Sequence, residues 1–435
     1  MAQAFDLATI DALAGRSGEP AWVTELRRKA LAAHQQLPWP HPSDDIWRRT
    51  DVSLLDPLRG FAPRAPAPSQ AAGGLTPQLE AWARPLGEEH VAVRVDGAWK
   101  TQAWPKAISV EELSRAARTT PGPIRQVIEA DGLTPSEQKL ASLNLAFHHD
   151  ALFIAIPPGF AQTPPLRLVR AFTVEERGAL FPLTVITIGA GSAVTLIDES
   201  MSAPSGRTDA PHLVNGRIEL VVGDGASVHY VRLQRWATTA REFLLQRATL
   251  ARGASLTLAN LHLGGSLSKA HLVTRLMGEH ASTRLYGFVF GQRGQHVDQH
   301  TLQDHQAPHT TSDLQFRAAL QDDSRMVYTG LIRIASCAKQ TQAYQANHNL
   351  LLSQHARAET IPMLEILADD VQCKHGASIG PIDEEQAFYL MSRGVPREAA
   401  QRLIVMGFVE PMIQQVPFAP LQERLRAEIE GGLHG

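Results

Sequence analysis

The sequence predicts a mainly β protein with a parallel β-helix core and helical regions at both ends of the chain. Three observations carry this prediction. Short β-rich segments separated by turn residues fill the middle of the chain, four of them repeat one pattern, and helical periodicity is confined to the two ends. We expect a helical and mixed region at 1–145, the β-helix core at 146–380 and a helical domain at 381–435.

Length and composition indicate a folded protein with a sizeable core. The chain has 435 residues, of which 44% are hydrophobic and 20% are charged, which is too apolar for a largely disordered polypeptide. At roughly 100–200 residues per domain, this length suggests two to three structural units. The 41 basic and 44 acidic residues nearly balance, so no charge excess points to nucleic acid or to an anionic membrane.

Targeting and redox signals are few. Residues 1–6 lack the basic region and apolar run of a signal peptide, and no window approaches about 18 uninterrupted apolar residues. We therefore expect a cytoplasmic protein without a membrane span. The two cysteines, Cys337 and Cys373, are too few for a disulfide framework or for a self-contained four-cysteine cluster.

The N-terminal region is predicted to begin with helices. Apolar residues recur at helix spacing between Leu7 and Leu31, with charged residues between them. Proline-rich stretches follow at 37–42 and 62–74, and the second of these is predicted to be an exposed loop. One more helix is expected near Glu137–Leu145.

From about residue 150, short strands alternate with turn residues, for example at 152–156, 183–188 and 217–222. Four segments open with a turn residue and a small residue, and alternating strand residues follow. The alanines of these segments lie 33, 28 and 27 residues apart (226−193, 254−226, 281−254). This near-constant period favours the stacked coils of a solenoid, and a sandwich of repeated hairpins is the alternative.

The last fifty or so residues return to helix. Asp383 is suited to cap a helix that ends at Arg393, where Gly394 follows as a helix-terminating residue. Pro396 suits the first turn of a second helix, and a third amphipathic stretch runs over 421–429. The predicted apolar face of the second helix contains Ala400, Leu403, Ile404 and Phe408.

The densest polar cluster lies between His296 and His309. On a strand, His296, Asp298 and His300 would share one face, and their imidazole and carboxylate groups could bind a metal ion. This pattern permits a metal-dependent β-helix hydrolase. The alternative is a polar ladder of the solenoid, because no spacing here matches a specific zinc signature.

A second polar cluster surrounds Cys373 and His375. The two residues are two positions apart and would project from one side of a strand, with Lys374 on the other side. A thiol beside an imidazole can bind a metal or form an activated nucleophile, whereas the alternative is a buried structural cysteine beside a satisfied histidine. The sequence contains no convincing phosphate-binding glycine loop, so any ATP hydrolysis would belong to another subunit.

Residues 290–410 resemble the core of the SufB/SufD family of the SUF iron–sulfur cluster assembly machinery. Near the N-terminus, Trp47-Arg-Arg-Thr50 is similar to a Trp-Arg-x-Thr element of SufD-type chains. Cys373-Lys-His-Gly376 stands where SufB-type chains have a His-Glu pair, and Asn347 stands about where they carry a sulfur-accepting cysteine. The chain thus looks like the SufD type. The segments that carry the family resemblance are 328–334, 347–353, 358–366, 368–378 and 388–394.

The resemblance implies a right-handed parallel β-helix and the role of a non-catalytic scaffold. The implied partners are a SufB-type paralogue, met through the β-helix cores, and a SufC-type ABC ATPase, met through the C-terminal helices. The resemblance is compatible with a homodimer when the chain is alone but does not decide between homodimer and monomer, and neither nucleic acid nor membrane is implied. The implied cargo is a nascent iron–sulfur cluster shared with the SufB-type partner, and a flavin in the complex is compatible with the resemblance.

The resemblance also assigns residues to these roles. Cys373 and His375 become the candidates for cluster assembly, with His375 as the metal ligand. The surface that docks the ATPase is expected within 383–415. Its candidate residues are Phe388, Tyr389, Arg393, Gly394 and Phe408.

Overall fold

The computed structural model describes residues 5–51, 53, 58, 60–63, 77–129, 133–161, 163–174, 177–204 and 211–433. Of the proline-rich stretch predicted as a loop, Ala62–Pro63 form a short strand, and 64–74 lie outside the described residues. The helices are α1 Leu7–Ser17, α2 Ala21–Gln36, α3 Pro77–Ala83, α4 Leu113–Thr119, α5 Pro121–Ile128, α6 Pro135–Phe147, α7 Glu384–Ser392, α8 Arg397–Ile413 and α9 Ala419–Gly432.

Two sheets of mostly parallel strands form the walls of a solenoid. The strands of sheet A are β1 Ala62–Pro63, β4 Ser109–Glu112, β5 Asp150–Ile156, β7 Gly178–Leu180, β8 Pro182–Ile188, β10 His212–Val222, β12 Ala240–Leu250, β14 Leu267–Leu276, β16 His296–His305, β18 Arg325–Ile334 and β20 Arg357–Ile366. The strands of sheet B are β2 His90–Val95, β3 Ala98–Gln102, β6 Leu166–Val174, β9 Ala193–Pro204, β11 Ser227–Arg235, β13 Ser255–His262, β15 Ser282–Gly291, β17 Thr311–Leu320, β19 Gln342–Leu351 and β21 Gln372–Pro381.

From β8 onward, successive strands alternate between the two sheets, so that each coil gives one strand to each sheet. Each strand pairs in parallel with the strand two positions further along the chain. Neighbouring coils therefore bury one continuous apolar interior, which is the architecture that the repeat favoured. The predicted β-helix fold is confirmed, and the sandwich of hairpins is excluded because these pairings are parallel.

The repeat in the sequence corresponds to the register of sheet B. Ser227 pairs with Ser255, and Ser255 pairs with Ser282, so the alanines preceding these serines occupy equivalent places in their coils. The first copy of the predicted alignment is wrong by one residue. Ala193 pairs with Ser227, so the residue equivalent to Ala226 is Ser192, whose hydroxyl instead donates to the Pro157 carbonyl at 2.8 Å.

At the corner leading from sheet A to sheet B, residues with positive φ allow the chain to turn sharply. Gly225 and Gly253 have φ of 62° and 65°, and His280 and His309 take the equivalent places with φ of 62° and 57°. The amide of His309 donates to the Lys339 carbonyl of the next coil at 2.9 Å. Because glycine tolerates positive φ best, the two histidines carry some backbone strain.

The two ends of the solenoid differ. At the first coils, the antiparallel partners β3 and β4 close the sheets, and Trp99 and Trp104 pack against the apolar interior. The last coil, formed by β20 and β21, has no such cover among the described residues. The C-terminal end of the solenoid is therefore open.

The helices pack on the outside of the two sheets. Residues of α1, α2 and α6 join side chains of sheet A such as Phe153 and Phe243 in one apolar cluster. Residues of α8 and α9 pack against sheet B. The predicted apolar face of α8 is wrong at Leu403, which is 56% exposed because it lies across the helix from the buried Val405 and Val409.

An ionic cluster joins α9 to sheet B. The fully buried Glu199 accepts hydrogen bonds from Arg167, Arg235 and Arg424 at 2.9, 2.9 and 2.6 Å. Burial alone would raise the pKa of Glu199, but the three arginines outweigh it and lower the pKa to about 2. The last helix is thus fixed to the solenoid by buried charge as well as by apolar packing.

The predicted start and end of the first C-terminal helix are confirmed. The Asp383 carboxylate caps α7 by accepting from the amides of Glu385 and Gln386, and Gly394 after its end has φ of 88°. In the portion of the chain that the structure describes, no helix has the length and apolar character needed to cross a membrane. The division at 145/146 and 380/381 stays a prediction.

Candidate functional site at the open end of the solenoid

The last coil of the solenoid consists of two strands that each pair on one side only. β20 pairs with β18 and β21 pairs with β19, and no described residue forms a strand on their other edges. Such edges present unpaired backbone N–H and C=O groups, which proteins usually cover, twist away or protect with charge. An edge left in this state is a surface to which another chain can add.

Cys373 and His375 lie on β21, on the face that turns toward the solenoid interior. In the register with β19, Cys373 stands opposite Ala343 and His375 opposite Gln345, and these two partners are only 5% and 1% exposed. Lys374 is exposed on the outer face. The structure therefore places Cys373 and His375 on one side of a strand and Lys374 on the other, as the spacing predicts.

Cys373 and His375 differ in how readily their side chains can bind a metal ion or act as a nucleophile. The Cys373 thiol packs against an apolar cluster that includes Ile332 and Ile334, and burial raises its pKa. The thiolate is the form that acts as nucleophile and metal ligand. A raised pKa leaves less thiolate at neutral pH, so Cys373 is a weaker nucleophile and metal ligand. His375 is exposed, and its imidazole makes no hydrogen bond to another described residue. Its ring nitrogens are therefore available to a ligand.

Apolar side chains around this pair are uncovered. Leu364, Ile366 and Ile379 are 39%, 39% and 43% exposed. In the preceding coil, Ile332 and Ile334 occupy the places equivalent to Leu364 and Ile366 and are fully buried. The interior of the solenoid thus continues to the surface at this end, where it meets Cys373 and His375.

Asn347 lies inside the solenoid close to this pair. It follows Gln345 by two residues on β19, is 1% exposed, and accepts a hydrogen bond from the side-chain amide of Asn349 at 2.6 Å. An asparagine side chain has no sulfur, so this position of the chain cannot carry a persulfide.

The histidines between 296 and 309 do not form a metal site. On β16, His296, Asp298 and His300 alternate onto one face as predicted, but the Lys269 ammonium donates to the Asp298 carboxylate at 2.6 Å. The His300 Nε2 atom lies 2.9 Å from Asp298 Oδ1 and 3.2 Å from Lys269 Nζ. A fixed positive charge therefore stands beside the carboxylate that a metal ion would need.

The other histidines of this stretch point elsewhere. His305 faces the interior, where its ring nitrogens bond to the hydroxyls of Thr310 and Ser312 at 2.8 and 2.9 Å. His309 lies at the solenoid corner and stacks on His280, with ring centres 4.9 Å apart. Across the described residues, no group of three or more His, Cys, Asp or Glu side chains is arranged to hold a metal ion. The geometry does not support the hydrolase alternative.

Burial sets the charges of this network. Burial and the nearby Lys269 together lower the pKa of His300 to about 4, although Asp298 opposes both effects. For Asp298, burial raises the pKa, but the ammonium and the imidazole outweigh burial and hold the pKa well below its usual range. The network at neutral pH is therefore a charged Lys–Asp pair beside a neutral imidazole.

The segment Trp47–Thr50, hereafter the strap, covers this network. The Trp47 ring lies 4.6 Å from the Lys269 ammonium, and the Thr50 hydroxyl donates to Asp298. The Lys269 ammonium also donates to the Ile46 carbonyl at 2.6 Å. The sequence singled out the strap by resemblance alone, and Lys269 was missed. A lysine inside the strand Leu267–Leu276, two positions before His271, was the signal that could have revealed it.

The predicted ATPase-docking residues separate into two groups. Phe388 and Tyr389 on α7 are 71% and 59% exposed, and the Arg393 guanidinium lies 5.3 Å from the Tyr389 ring centre beside the exposed Gly394. Phe408 on α8 is half-buried instead, and its carbonyl and ring contact Arg317 of sheet B. Four of the five residues thus form one exposed surface, and Phe408 belongs to the packing beneath α8.

Comparisons with a family model and with individual proteins point to the same family. The family described as SUF system FeS cluster assembly, SufBD core domain, matches residues 171–408, which is more than half of the chain. A Staphylococcus epidermidis iron-sulfur cluster assembly SufBD family protein is 24% identical over 427 residues, which cover 95% of this chain and 91% of the relative. The iron-sulfur cluster assembly protein SufB of Bacillus subtilis is 27% identical over 304 residues, or 69% of this chain and 64% of that protein. The chain therefore belongs to the SufB/SufD family of iron–sulfur cluster assembly proteins.

Proposed function

We propose that the chain is the SufD-type scaffold subunit of a SUF assembly complex and has no catalytic reaction of its own. The observation that carries this proposal is the open end of the solenoid, where unpaired strand edges and uncovered apolar side chains surround Cys373 and His375. A scaffold needs a surface that a partner completes, and this end offers backbone, apolar area and a metal-binding side chain together.

The occupant of the open end is a paralogous solenoid of the same family. A second solenoid with an open last coil would extend both sheets by strand addition and would bury Leu364, Ile366 and Ile379 at the same time. The family membership supports this choice, because a relative named SufB aligns with this chain over 304 residues. A homodimer of the free chain uses the same surface, since it is self-complementary in backbone bonding.

The nascent iron–sulfur cluster is cargo shared across this junction. One chain supplies few thiolates here, because Cys373 keeps its proton and Asn347 has no sulfur. His375 contributes an imidazole, and the paralogue would contribute the remaining ligands, including the sulfur-bearing cysteine. A cluster held this way is bound transiently, which suits a protein that builds clusters for delivery. A flavin in the assembled complex belongs to the same proposal, and the visible absorption of the purified complex would report it.

The exposed surface on α7, formed by Phe388, Tyr389, Arg393 and Gly394, is the docking site of a SufC-type ATPase. Its aromatic and arginine side chains are residue types that dominate binding energy at protein interfaces. α7 contacts α8, α8 contacts α9, and Arg424 of α9 bonds to the buried Glu199 of sheet B. Movement of the docked ATPase would thus be transmitted to the solenoid rather than absorbed by a loose helix.

The test is co-expression with SufB-type and SufC-type proteins, followed by size-exclusion chromatography with light scattering. We expect one hetero-complex that contains all three chains. Ile366→Lys, which places a charge at the open end, should abolish the pairing with the SufB-type chain. Leu7→Lys, on the exposed face of α1, is the matched control because Leu7 is 54% exposed. A chain that elutes alone whatever the partners present would refute the proposal.

A further inference from the structure

One row of side chains crosses sheet A and ends at its open edge. In the parallel register, Phe243, Lys269, Asp298, Val327 and Glu359 stand opposite one another on β12, β14, β16, β18 and β20. Neighbouring strands are about 4.8 Å apart, so the row is roughly 19 Å long. The row leads from the middle of the solenoid to β20, the strand at the open edge of sheet A.

The first part of this row binds the strap from Trp47 to Thr50. The Trp47 ring lies 6.0 Å from the ring of Phe243 and 4.6 Å from the Lys269 ammonium. The Thr50 hydroxyl donates to Asp298. The strap therefore contacts three neighbouring strands of sheet A through buried side chains, of which Lys269 and Asp298 are charged.

Arg49 of the strap contacts β20, the last strand of sheet A. Its Nε atom donates to Glu359 Oε2 at 2.8 Å, across 310 residues of chain. Arg325 on β18 donates to the other carboxylate oxygen of Glu359 at 2.5 Å. Glu359 is thus held between an arginine of the neighbouring strand and an arginine of the N-terminal region. Arg48, by contrast, is exposed, and its side chain makes no hydrogen bond or ion pair with a described residue of the sheet.

We propose that the strap positions β20 for the paralogous partner, with Arg49 acting through Glu359 on the strand edge. This inference rests on the proposed function, because it takes β20 as the edge that the partner meets. A strand with a neighbour on one side only is free to fray, and ordering it on binding costs free energy. The strap removes part of this cost in advance. Arg49 is therefore a positioning residue and does not need to touch the partner.

The experiment compares Arg49→Ala, Glu359→Ala and the double variant with Arg48→Ala as the matched control. Hydrogen–deuterium exchange of the isolated chain should be faster over 357–366 in Arg49→Ala and unchanged in Arg48→Ala. The dissociation constant for the SufB-type partner should rise about two- to fivefold in Arg49→Ala, the range of a partly exposed ion pair. The double variant should bind no worse than Glu359→Ala, because both changes remove the same contact.

Two failures of this experiment are distinguishable. If the unmodified chain does not bind the SufB-type protein, the proposed function is wrong and the inference falls with it. If the unmodified chain binds and Arg49→Ala matches Arg48→Ala in dissociation constant, the strap inference alone is overturned, whatever the exchange pattern over 357–366.

Discussion

Lys269 and Asp298 form an ion pair 2.6 Å long between neighbouring strands of sheet A, with side chains only 1% and 0% exposed. The pair lies beneath the Trp47 ring, and the Thr50 hydroxyl bonds to the same carboxylate. A buried ion pair is weak evidence for net stability, but removal of one partner leaves an uncompensated buried charge. Removal of either partner should therefore weaken the attachment of the strap to sheet A.

We expect Asp298→Asn to lower the free energy of unfolding by about 3 kcal/mol, because the Lys269 ammonium would stay buried without a counter-charge. The urea midpoint of the isolated chain measures this change. Asp369→Asn, at an exposed aspartate, is the control and should leave the midpoint in place. Equal midpoints for the two variants would show that the ion pair does not hold the structure together.

The stability of the protein should fall as the pH drops from neutral. Several buried histidines have a pKa of about 4 in the folded chain, so they bind a proton only near pH 4. In the unfolded chain, a histidine binds a proton below its ordinary pKa of 6.5. Between these values the unfolded state holds more protons, so acid favours unfolding. Burial is the main cause of the lowered pKa at each. The buried histidines with a pKa lowered to about 4 are His34, His212, His262, His300 and His305.

Thermal midpoints measured at about pH 7 and pH 5 test this sign. The midpoint should be lower at the acidic pH, and His305→Gln should reduce the difference because one buried histidine no longer titrates. His41→Gln is the matched control, since His41 is exposed. A midpoint that rises on acidification would contradict the assignment of these histidines as neutral and buried.

The sequence predicted the fold from local signals and missed contacts between distant segments. The turn-and-small-residue pattern around Ala226 and Ala254 predicted the register of sheet B, because each coil repeats the same steric requirement. Asp383 predicted a helix start for the same local reason. The contact of Glu199 with Arg424 spans 225 residues, and no periodicity encodes such a pairing.

The candidate site was predicted only in part, because local signals reveal some of its features and not others. The alternation of a strand is enough to place Cys373 and His375 on one face. That they stand at an uncovered end of the core depends on which coil comes last, and a repeat pattern does not contain this information. The sequence also grouped the histidines between 296 and 309, which the structure divides among the outer face, the interior and a corner.

The double variant Phe388→Ala, Tyr389→Ala should lose the ATPase subunit without loss of fold. Both side chains are mostly exposed, so their truncation removes little packing. If they act as interface hot spots, their loss together should weaken ATPase binding by about thirtyfold or more. Titration with the SufC-type protein by calorimetry measures this effect. Leu7→Ala serves as the control for an exposed apolar side chain elsewhere, and equal affinities for the two variants would remove α7 from the docking site.

His375→Ala should assemble into the hetero-complex but yield at least about tenfold less iron–sulfur cluster if the exposed imidazole is the ligand that we propose for this chain. Iron and sulfide bound per purified complex measure the yield. Lys374→Ala is the matched control, since the neighbouring side chain points to the outer surface of the same strand. Cys373→Ala should have the smaller effect, because burial raises the pKa of its thiol and keeps it protonated. If Cys373→Ala abolishes the cluster and His375→Ala does not, the thiol is the ligand and the burial of Cys373 must be relieved when the partner binds.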